Sequence, residues 1–482
     1  MIKNKKPIFV ASVLVGSSCL LSACSLIPVY QRPVAPIPER WDAVESSVSR
    51  PSQSNSGSFE WKMFVGDAQL RKLIELALAN NRDLRQAMLN VQAARAQYGL
   101  RRADRLPNID LQAGGIRQRV PGDISPGDGS EIQNTWQAGV GLGAFEIDLF
   151  RRVASMSESA MQDYLSTQET ARAAQITLVG DVIEAYISRN GAQQRRLLTE
   201  QTLRSRESSL RLISARRSVG VAAALDYQEA VGLAEQARAE LERTDRQISQ
   251  ASNAIGLLVG DLGVVQSLPA VASNDVMIVQ DVAPGLPSDL LSSRPDIEAA
   301  ERRLRARNAD IGAARAAFFP RITLTGMFGS SSADLSDLFS SGQRAWSFSP
   351  QIAVPIFSGG RNSANLDLSR VRKDLAIVDY ERSIQIAFRE VADALAATDT
   401  LRREEQAQAG LAYSGREAVR LSEARYKAGI DGHLRYLDAQ RSAFTSQIAL
   451  IQVTTERQLA LANLFRTLGG GWGTLSATIG SE

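Results

Sequence analysis

The chain has 482 residues, of which 55 are Lys or Arg and 52 are Asp or Glu. Residues 1–23 contain three lysines and no acidic residue, so the remainder is balanced at 52 basic against 52 acidic side chains, which excludes a nucleic-acid-binding protein. The sequence has no P-loop, zinc-protease motif, nucleophile elbow or Cys-x-x-Cys pair. We therefore predict neither an enzyme nor a bound cofactor.

The amino terminus predicts export. Three lysines precede an apolar run over residues 8–21, which is too short to span a bilayer and is typical of a secretory signal peptide. The sequence Leu21-Ser22-Ala23-Cys24 resembles a bacterial lipobox. This resemblance implies that residues 1–23 are removed, that Cys24 is acylated and held on outer-membrane lipid, and that residues 24–60 form a linker. The alternative is an ordinary cleaved signal in which Cys24 has no role.

Helices dominate the rest of the chain, because apolar residues recur at steps of three and four. The predicted helices are 66–104, 151–218, 221–258, 287–317, 361–427 and 433–468. A continuous helix over 361–427 would be about 100 Å long, which a globular domain does not need. No apolar run after the signal approaches the length of a transmembrane helix, so a membrane-crossing chain would have to use strands.

Between the helices the apolar period changes from 3.6 to 2, which predicts strands. For example, Ala138, Val140, Leu142 and Ala144 alternate with Gln and Gly residues. The strands are predicted at about 106–118, 135–150, 319–329 and 345–357, in two hairpins around Gly- and Ser-rich loops at 117–134 and 329–344. Alternation alone leaves a soluble half-buried sheet as an equal alternative, and the lipobox favours a sheet in lipid.

Four strands cannot cross a bilayer alone, because an open sheet leaves edge N–H and C=O groups unpaired in hydrocarbon. Two chains would give about eight strands and a filled barrel, whereas three give about twelve strands and room for a pore. The predicted fold is therefore an α+β membrane protein: a trimeric 12-stranded β-barrel with four strands per chain, continuous with a long periplasmic α-helical barrel.

The chain also contains an internal duplication. Asn81-Arg82-Asp83-Leu84 recurs 213 positions later as Arg294-Pro295-Asp296-Ile297, and Gly220 with its surroundings recurs 209 positions later at Gly429. A long fixed period indicates that one structural unit was duplicated. We predict a first repeat over 61–260, a linker over 261–286, a second repeat over 287–473 and a tail over 474–482.

Several motifs together resemble the TolC-type outer-membrane factors, and most closely the lipoprotein branch that serves multidrug efflux pumps. They are the Arg-Pro-Asp-Ile motif, the run from Ile311 to Phe319-Pro320, and the terminal Leu468-Gly469-Gly470-Gly471-Trp472. The resemblance implies a homotrimeric duct that joins a periplasmic adaptor to an inner-membrane transporter of the resistance-nodulation-division class. The alternative within transport is a duct for type I protein secretion or metal efflux. A coiled-coil surface adhesin or scaffold is the alternative outside transport.

The predicted functional positions lie at two helix hairpins. Gly220 and Gly429 interrupt helical patterns where the chain must reverse, and Gly takes positive φ there without steric cost. The family resemblance makes these hairpins the periplasmic tip, where an adaptor docks and the channel closes. It assigns gate roles to Asp226, Tyr426 and Asp438. The chain departs from some relatives at two further tip positions, Asp431 and Arg435.

Overall fold

The computed structural model describes residues 25–38, 61–123, 129–268, 277–280 and 287–470. The predicted signal peptide, Cys24, Trp472 and the tail lie outside the described residues, as do most of the two predicted linkers. The described helices are α1 (Trp61–Phe64), α2 (Ala68–Asn80), α3 (Arg82–Ala103), α4 (Arg152–Ser218), α5 (Ala224–Val259), α6 (Leu290–Ser293), α7 (Pro295–Ala316), α8 (Arg361–Lys427) and α9 (His433–Thr467). The strands are β1 (Ile109–Val120), β2 (Glu131–Ile147), β3 (Arg321–Ser332) and β4 (Arg344–Ala353).

The long helices α4, α8 and α9 confirm the predictions closely, but two predicted helices are divided. The expected helix 66–104 breaks at Asn81, whose side-chain oxygen accepts a hydrogen bond from Leu84 N at 2.8 Å and so caps α3. The expected helix 287–317 breaks at Arg294, which has extended backbone angles (φ −98, ψ 116). A residue before proline is driven out of the helical region, and Pro295 is well placed in the first turn of α7.

The chain contains two compact units. One comprises the described residues of Met1–Val34, Val91–Thr167 and Ala300–Tyr380, and the other those of Ala35–Asn90, Gln168–Ala299 and Glu381–Glu482. We call them the sheet unit and the helical unit.

The helical unit has an apolar core built from short and long helices. Phe64 stacks on Phe465 with ring centroids 4.2 Å apart and planes within 3°. Ile74, Ile183 and Ile255 are fully buried in the same cluster. A fully buried aliphatic or Phe side chain contributes roughly 1.5–3 kcal/mol, so this cluster is a main source of the unit's stability.

The sheet unit contains one four-stranded antiparallel sheet in the order β1-β2-β3-β4. The two predicted hairpins are present and also pair with each other through β2 and β3. The loops between paired strands are shorter than predicted, at 121–130 and 333–343. A β-bulge shifts the register between Leu142 and Phe145. The predicted alternation of Ala138, Val140, Leu142 and Ala144 is therefore wrong at Ala144. The extra residue reverses the alternation and aligns Phe145 with Leu324.

Candidate functional site

The two hairpin tips of the helical unit have the same backbone geometry. Gly220 and Gly429 have φ of 77° and 71°, as the sequence predicted. After α4, Gly220 N donates to Arg217 O at 3.0 Å and Val221 N to Arg216 O at 2.9 Å. After α8, the amides at the two equivalent positions make the same bonds at 3.0 and 2.9 Å. Each glycine thus ends a helix in a left-handed cap that reverses the chain.

The side chains of the two tips differ. In the first tip the Arg217 guanidinium lies over the Tyr227 ring at 4.6 Å. The positions 209 residues later hold Tyr426 and Tyr436, whose rings are nearly parallel with centroids 6.2 Å apart. The same site in each hairpin is therefore filled by a cation–π pair in one repeat and by an aromatic pair in the other.

The second tip has an ion cluster around Asp431. Arg425 donates to both oxygens of Asp431 at 2.6 and 3.0 Å, and Arg435 lies 3.9 Å from the same carboxylate. The hydrogen bonds from Arg425 hold the pKa of the Asp431 carboxyl below its usual value. Asp431 is thus paired with both Arg425 and Arg435.

Within the single chain, no hydrogen bond or ion pair joins any two of the three predicted gate residues, all of which the structure describes. The Tyr426 hydroxyl accepts a hydrogen bond from Arg216, at the end of α4. Asp438 is paired with Arg441 one helical turn on. Sequence reasoning missed Arg216 and Arg441. Arg216 was identifiable, because it stands 209 positions before Arg425 in the same cap.

Two tyrosine rings pack against His433 at the start of α9. Its ring centroid lies 4.6 Å from that of Tyr426 and 5.7 Å from that of Tyr436. Burial lowers the pKa of His433; the charge of Asp226 raises it and that of Arg216 lowers it further. The predicted gate residues Asp226 and Tyr426 therefore share one neighbour, His433.

One face of the sheet is apolar and exposed in the single chain. Its clearest row crosses all four strands in register, from Leu111 through Val140 and Phe328 to Trp346. These side chains are 85%, 48%, 67% and 77% exposed. Exposed apolar side chains that form a continuous row need an apolar environment.

The segment that follows Cys24 is bound along α7 in the sheet unit. Arg32 and Tyr30 hydrogen-bond Glu301 at 2.6 and 3.1 Å. Asn308 Nδ2 donates to Pro28 O at 2.7 Å, and Arg315 donates to Leu26 O at 3.2 Å. Burial raises the pKa of Glu301, but hydrogen bonds from Arg305 and Arg32 lower it below the ordinary value. The segment therefore runs antiparallel to α7, with Leu26 near the end of α7 that leads into β3.

The described residues contain neither a membrane-spanning helix nor a metal-binding cluster. None of their helices is both long enough and apolar enough to span a membrane. In the same residues, no cluster of three His, Cys, Asp or Glu side chains is arranged to hold a metal ion.

Comparison with known proteins identifies relatives along almost the whole chain. The model of the family described as outer membrane efflux protein matches residues 73–261 and again 286–470. Outer membrane protein OprJ of Pseudomonas aeruginosa is 54% identical over 468 residues, which cover 97% of each chain. The antibiotic efflux pump outer membrane protein ArpC of Pseudomonas putida is 43% identical over 462 residues, which cover 95% of each chain.

Solved structures share the fold. A membrane protein from Pseudomonas aeruginosa has 55% identity and a TM-score of 0.88, with 93% of this chain and 98% of that chain covered. The open state of the MtrE outer membrane channel of Neisseria gonorrhoeae has 36% identity and a TM-score of 0.83, with the same coverage. The predicted fold class, including the internal duplication and four strands per chain, is confirmed.

Proposed function

The chain belongs to the outer membrane efflux protein family and is an outer-membrane exit channel, and we propose that it exports drugs or other small toxic compounds as part of a tripartite pump. Its partners in this proposal are a periplasmic adaptor and an inner-membrane transporter of the resistance-nodulation-division class. The names of relatives at 43% identity, which specify antibiotic or toluene efflux pumps, support this substrate class.

The assembly in this proposal is a homotrimer around one shared pore. The observation that carries it is the open sheet, in which β1 pairs only with β2 and β4 only with β3 among the described strands. The exposed apolar face favours lipid, but the two unpaired edges leave N–H and C=O groups without partners in hydrocarbon, so one chain alone cannot be stable there. Pairing β1 of one copy with β4 of the next closes about twelve strands around a pore.

Native mass spectrometry of the detergent-extracted protein tests this assembly, and planar-bilayer recordings of the same sample test conduction. We expect a trimer and one conducting unit per trimer. A stable monomer or dimer in a lipid-like environment would contradict the trimer, and a trimer without conductance would contradict the channel.

Acylated Cys24 anchors the chain in this proposal. The bound segment along α7 supports this role, because its contacts at Glu301, Asn308 and Arg315 are spaced by seven residues and lead toward the sheet. The lipid would then enter the same membrane leaflet that the strand ends reach, at about 0.8 kcal/mol per buried CH₂ group. Mass spectrometry of the amino-terminal peptide should show a lipid-modified Cys24 in the wild type. An unmodified Cys24 would overturn the assignment.

The gate in this proposal lies at the hairpin tips, with Asp226 and Tyr426 as closing groups and Asp438 as an acidic constriction. Exposed apolar side chains beside Gly220 and Gly429 offer the adaptor a docking surface: Val221, Leu225, Ile430 and Leu434. An adaptor that binds the separated hairpins more tightly shifts the channel toward its open state, by an amount set by that difference in affinity.

Variants at the tips test the gate. Asp226→Ala combined with Tyr426→Phe should raise single-channel conductance in planar bilayers. Asp438→Asn should weaken block by divalent cations added on the periplasmic side, because it removes an acidic group from the constriction. Wild-type conductance and wild-type cation block in both variants would place the closure elsewhere, with Asp431 and Arg435 as the next positions to test.

A further inference from the structure

His433 is the one histidine of the sequence, and the structure places it among the proposed gate residues. It is the first residue of α9, directly after the second tip, and its imidazole contacts the rings of Tyr426 and Tyr436. Tyr426 in turn accepts a hydrogen bond from Arg216 of the first hairpin. The imidazole is thus packed against the contact that joins the two hairpins of one chain.

The state of the His433 ring is unusual for a histidine. Both ring nitrogens are buried, and neither has a hydrogen-bond partner among the described residues. Buried imidazoles normally use at least one nitrogen in a hydrogen bond. Protonation would give the ring a second donor and a positive charge, and both are costly where the two nitrogens are buried without a hydrogen-bond partner among the described residues.

The charged groups around His433 come from each packed helix. Arg216 of α4 opposes a positive imidazole, and Asp226 of α5 favours it. From α8, Tyr426 presents its ring, and Lys427 and Glu423 form an ion pair at 2.7 Å whose charges act on Tyr436 of α9. The charges of Asp226 and Arg216 act on the imidazole in opposite directions, so burial decides its protonation state and favours the neutral ring.

We propose that His433 is a proton-binding site that loosens the contact between the two hairpins when the periplasm becomes acidic. The proposal rests on the proposed role of these hairpins as a gate. A hairpin arrangement in which the imidazole reaches water binds the proton more tightly than the packed arrangement does. By linkage, acid therefore favours the separated hairpins.

The sign and size of the effect follow from the direction of the pKa shift. Because packing lowers the pKa of His433, the packed state is fully favoured above the ordinary value of about 6.5 and loses that advantage as the pH falls below it. One proton per chain limits the change in the open-to-closed ratio to about tenfold per pH unit for each chain. Below the lowered pKa of the packed state the effect levels off.

The lone histidine makes the titration directly measurable. In the trimer labelled with ¹³C at the histidine ring, NMR should show one imidazole signal, whose midpoint lies below about 6.5. Asp226→Asn should move the midpoint down and Arg216→Gln should move it up, because they remove the favouring and the opposing charge. A midpoint at or above the ordinary value, or one that neither variant moves, would overturn the proposal.

A second measurement follows hairpin separation. A nitroxide on Val219→Cys, an exposed position beside the first tip, reports the distances between tips of the three copies by pulsed electron spin resonance. Between about pH 8 and about pH 5, these distances should lengthen in the wild type. They should stay unchanged in His433→Phe, which keeps an aromatic ring, and in His433→Gln, which keeps a polar side chain without a titrating group. The same pH response in both variants would overturn the proposal.

Planar-bilayer recordings separate this proposal from the proposed channel function. Conductance should rise with acid in the wild type and stay flat in His433→Phe and His433→Gln. If no variant conducts at any pH while the spin-label distances still respond to acid through His433, the channel function fails and the proton site stands. If all variants conduct and none responds to pH, the proton site fails and the channel function stands.

Discussion

The two repeats share their helix-junction contacts and differ in their tips. In the first repeat, Asn81 Nδ2 donates to Leu258 O at 2.8 Å; in the second, Arg294 Nη1 donates to Thr467 O at 3.1 Å. Leu258 and Thr467 are themselves 209 positions apart. The duplicated unit has therefore kept a bond from the start of one helix to the end of another, although the donor changed from an amide to a guanidinium.

The two hairpin tips, in contrast, have not kept equivalent side-chain contacts. The contact of Arg216 with Tyr426 has a pseudo-symmetric counterpart between Arg425 and Arg217. Two guanidinium groups repel, and Arg425 instead binds Asp431, whose counterpart in the first repeat is Ala222. Among the described residues, one side-chain hydrogen bond thus joins the two hairpin tips of a chain where strict symmetry would give two. The asymmetry limits how strongly the tips are held, which suits a gate.

The largest predicted effect tests the junctions. Arg294→Ala removes the bond to Thr467 O and the ion pairs with Glu390 and Asp296 at 2.8 and 2.7 Å. Arg294 is largely buried, but water screens Asp296 and Glu390, which are 41% and 35% exposed, so we expect a loss of about 2–4 kcal/mol. Asn81→Ala, the matched change in the first repeat, should lose about 1–2 kcal/mol for the α3 cap and one hydrogen bond.

Urea unfolding of the solubilised protein, followed by far-ultraviolet circular dichroism, measures both losses. Equal losses would show that the ion pairs of Arg294 add nothing to the shared junction bond, and the comparison between the repeats would need revision.

The second prediction concerns glycines at the same junctions. A methyl group at Gly260 would lie 2.6 Å from Asn80 O, and one at Gly469 would lie 2.5 Å from Ser293 O; both glycines have positive φ. Gly260→Ala and Gly469→Ala should each lose about 2–4 kcal/mol through backbone strain and overpacking. Gly220→Ala meets no described atom within 4 Å, so strain alone should cost about 1–2 kcal/mol.

Hydrogen exchange with mass spectrometry locates each loss. The junction variants should expose peptides around residues 74–81 or 290–297, and Gly220→Ala only the first tip. Equal protection loss in all three variants would mean that the close approach at the junctions is relaxed at little cost.

Much of this organisation was predictable from the sequence, because periodicity and duplication are patterns in the order of residues along the chain. The helices α4 and α8 and the two strand hairpins follow from such patterns. The bulge between Leu142 and Phe145 could not be predicted in this way. The sequence of β2 is compatible with regular alternation, and only its pairing with β3 shows the extra residue. Asn81 is a residue type that favours the start of a helix, but the apolar pattern continues through it, so one long helix was predicted instead of two.

The gate contacts were the least predictable part. The resemblance supplied Asp226, Tyr426 and Asp438 as single positions, but a hydrogen bond depends on which side chains two separate helices bring together. Arg216 reaches Tyr426 across 210 residues of sequence, and only tertiary structure shows that pairing. His433 stands four residues after Gly429 in the sequence, but its packing against two tyrosine rings depends on how the helices pack.

A third, smaller effect tests the hydrogen bond between Arg216 and Tyr426 at the hairpin tips. Arg216→Gln and Tyr426→Phe should each raise open probability in planar bilayers, and the double variant should exceed neither single variant by much. A shared hydrogen bond of this kind contributes about 0.5–1 kcal/mol, and a double-mutant cycle recovers it as a coupling energy. Additive effects would show that the two side chains act on the gate through separate contacts.

The smallest and most specific effect is expected from a variant that makes the contacts of the two hairpin tips equivalent. Arg217→Tyr together with Asp431→Ala gives the first hairpin the tyrosine of the second and frees Arg425 from its acid, so that a second bridge can form between Arg425 and residue 217. If the asymmetry keeps the tips loosely held, this double variant should conduct less than the wild type at rest, while Asp431→Ala alone should not. Adding Arg425→Gln to the double variant removes the only new donor and should return conductance to that of Asp431→Ala. A double variant that opens more readily would mean that the Asp431 cluster itself holds the tips together, so that the charge difference between the repeats closes the gate instead of loosening it.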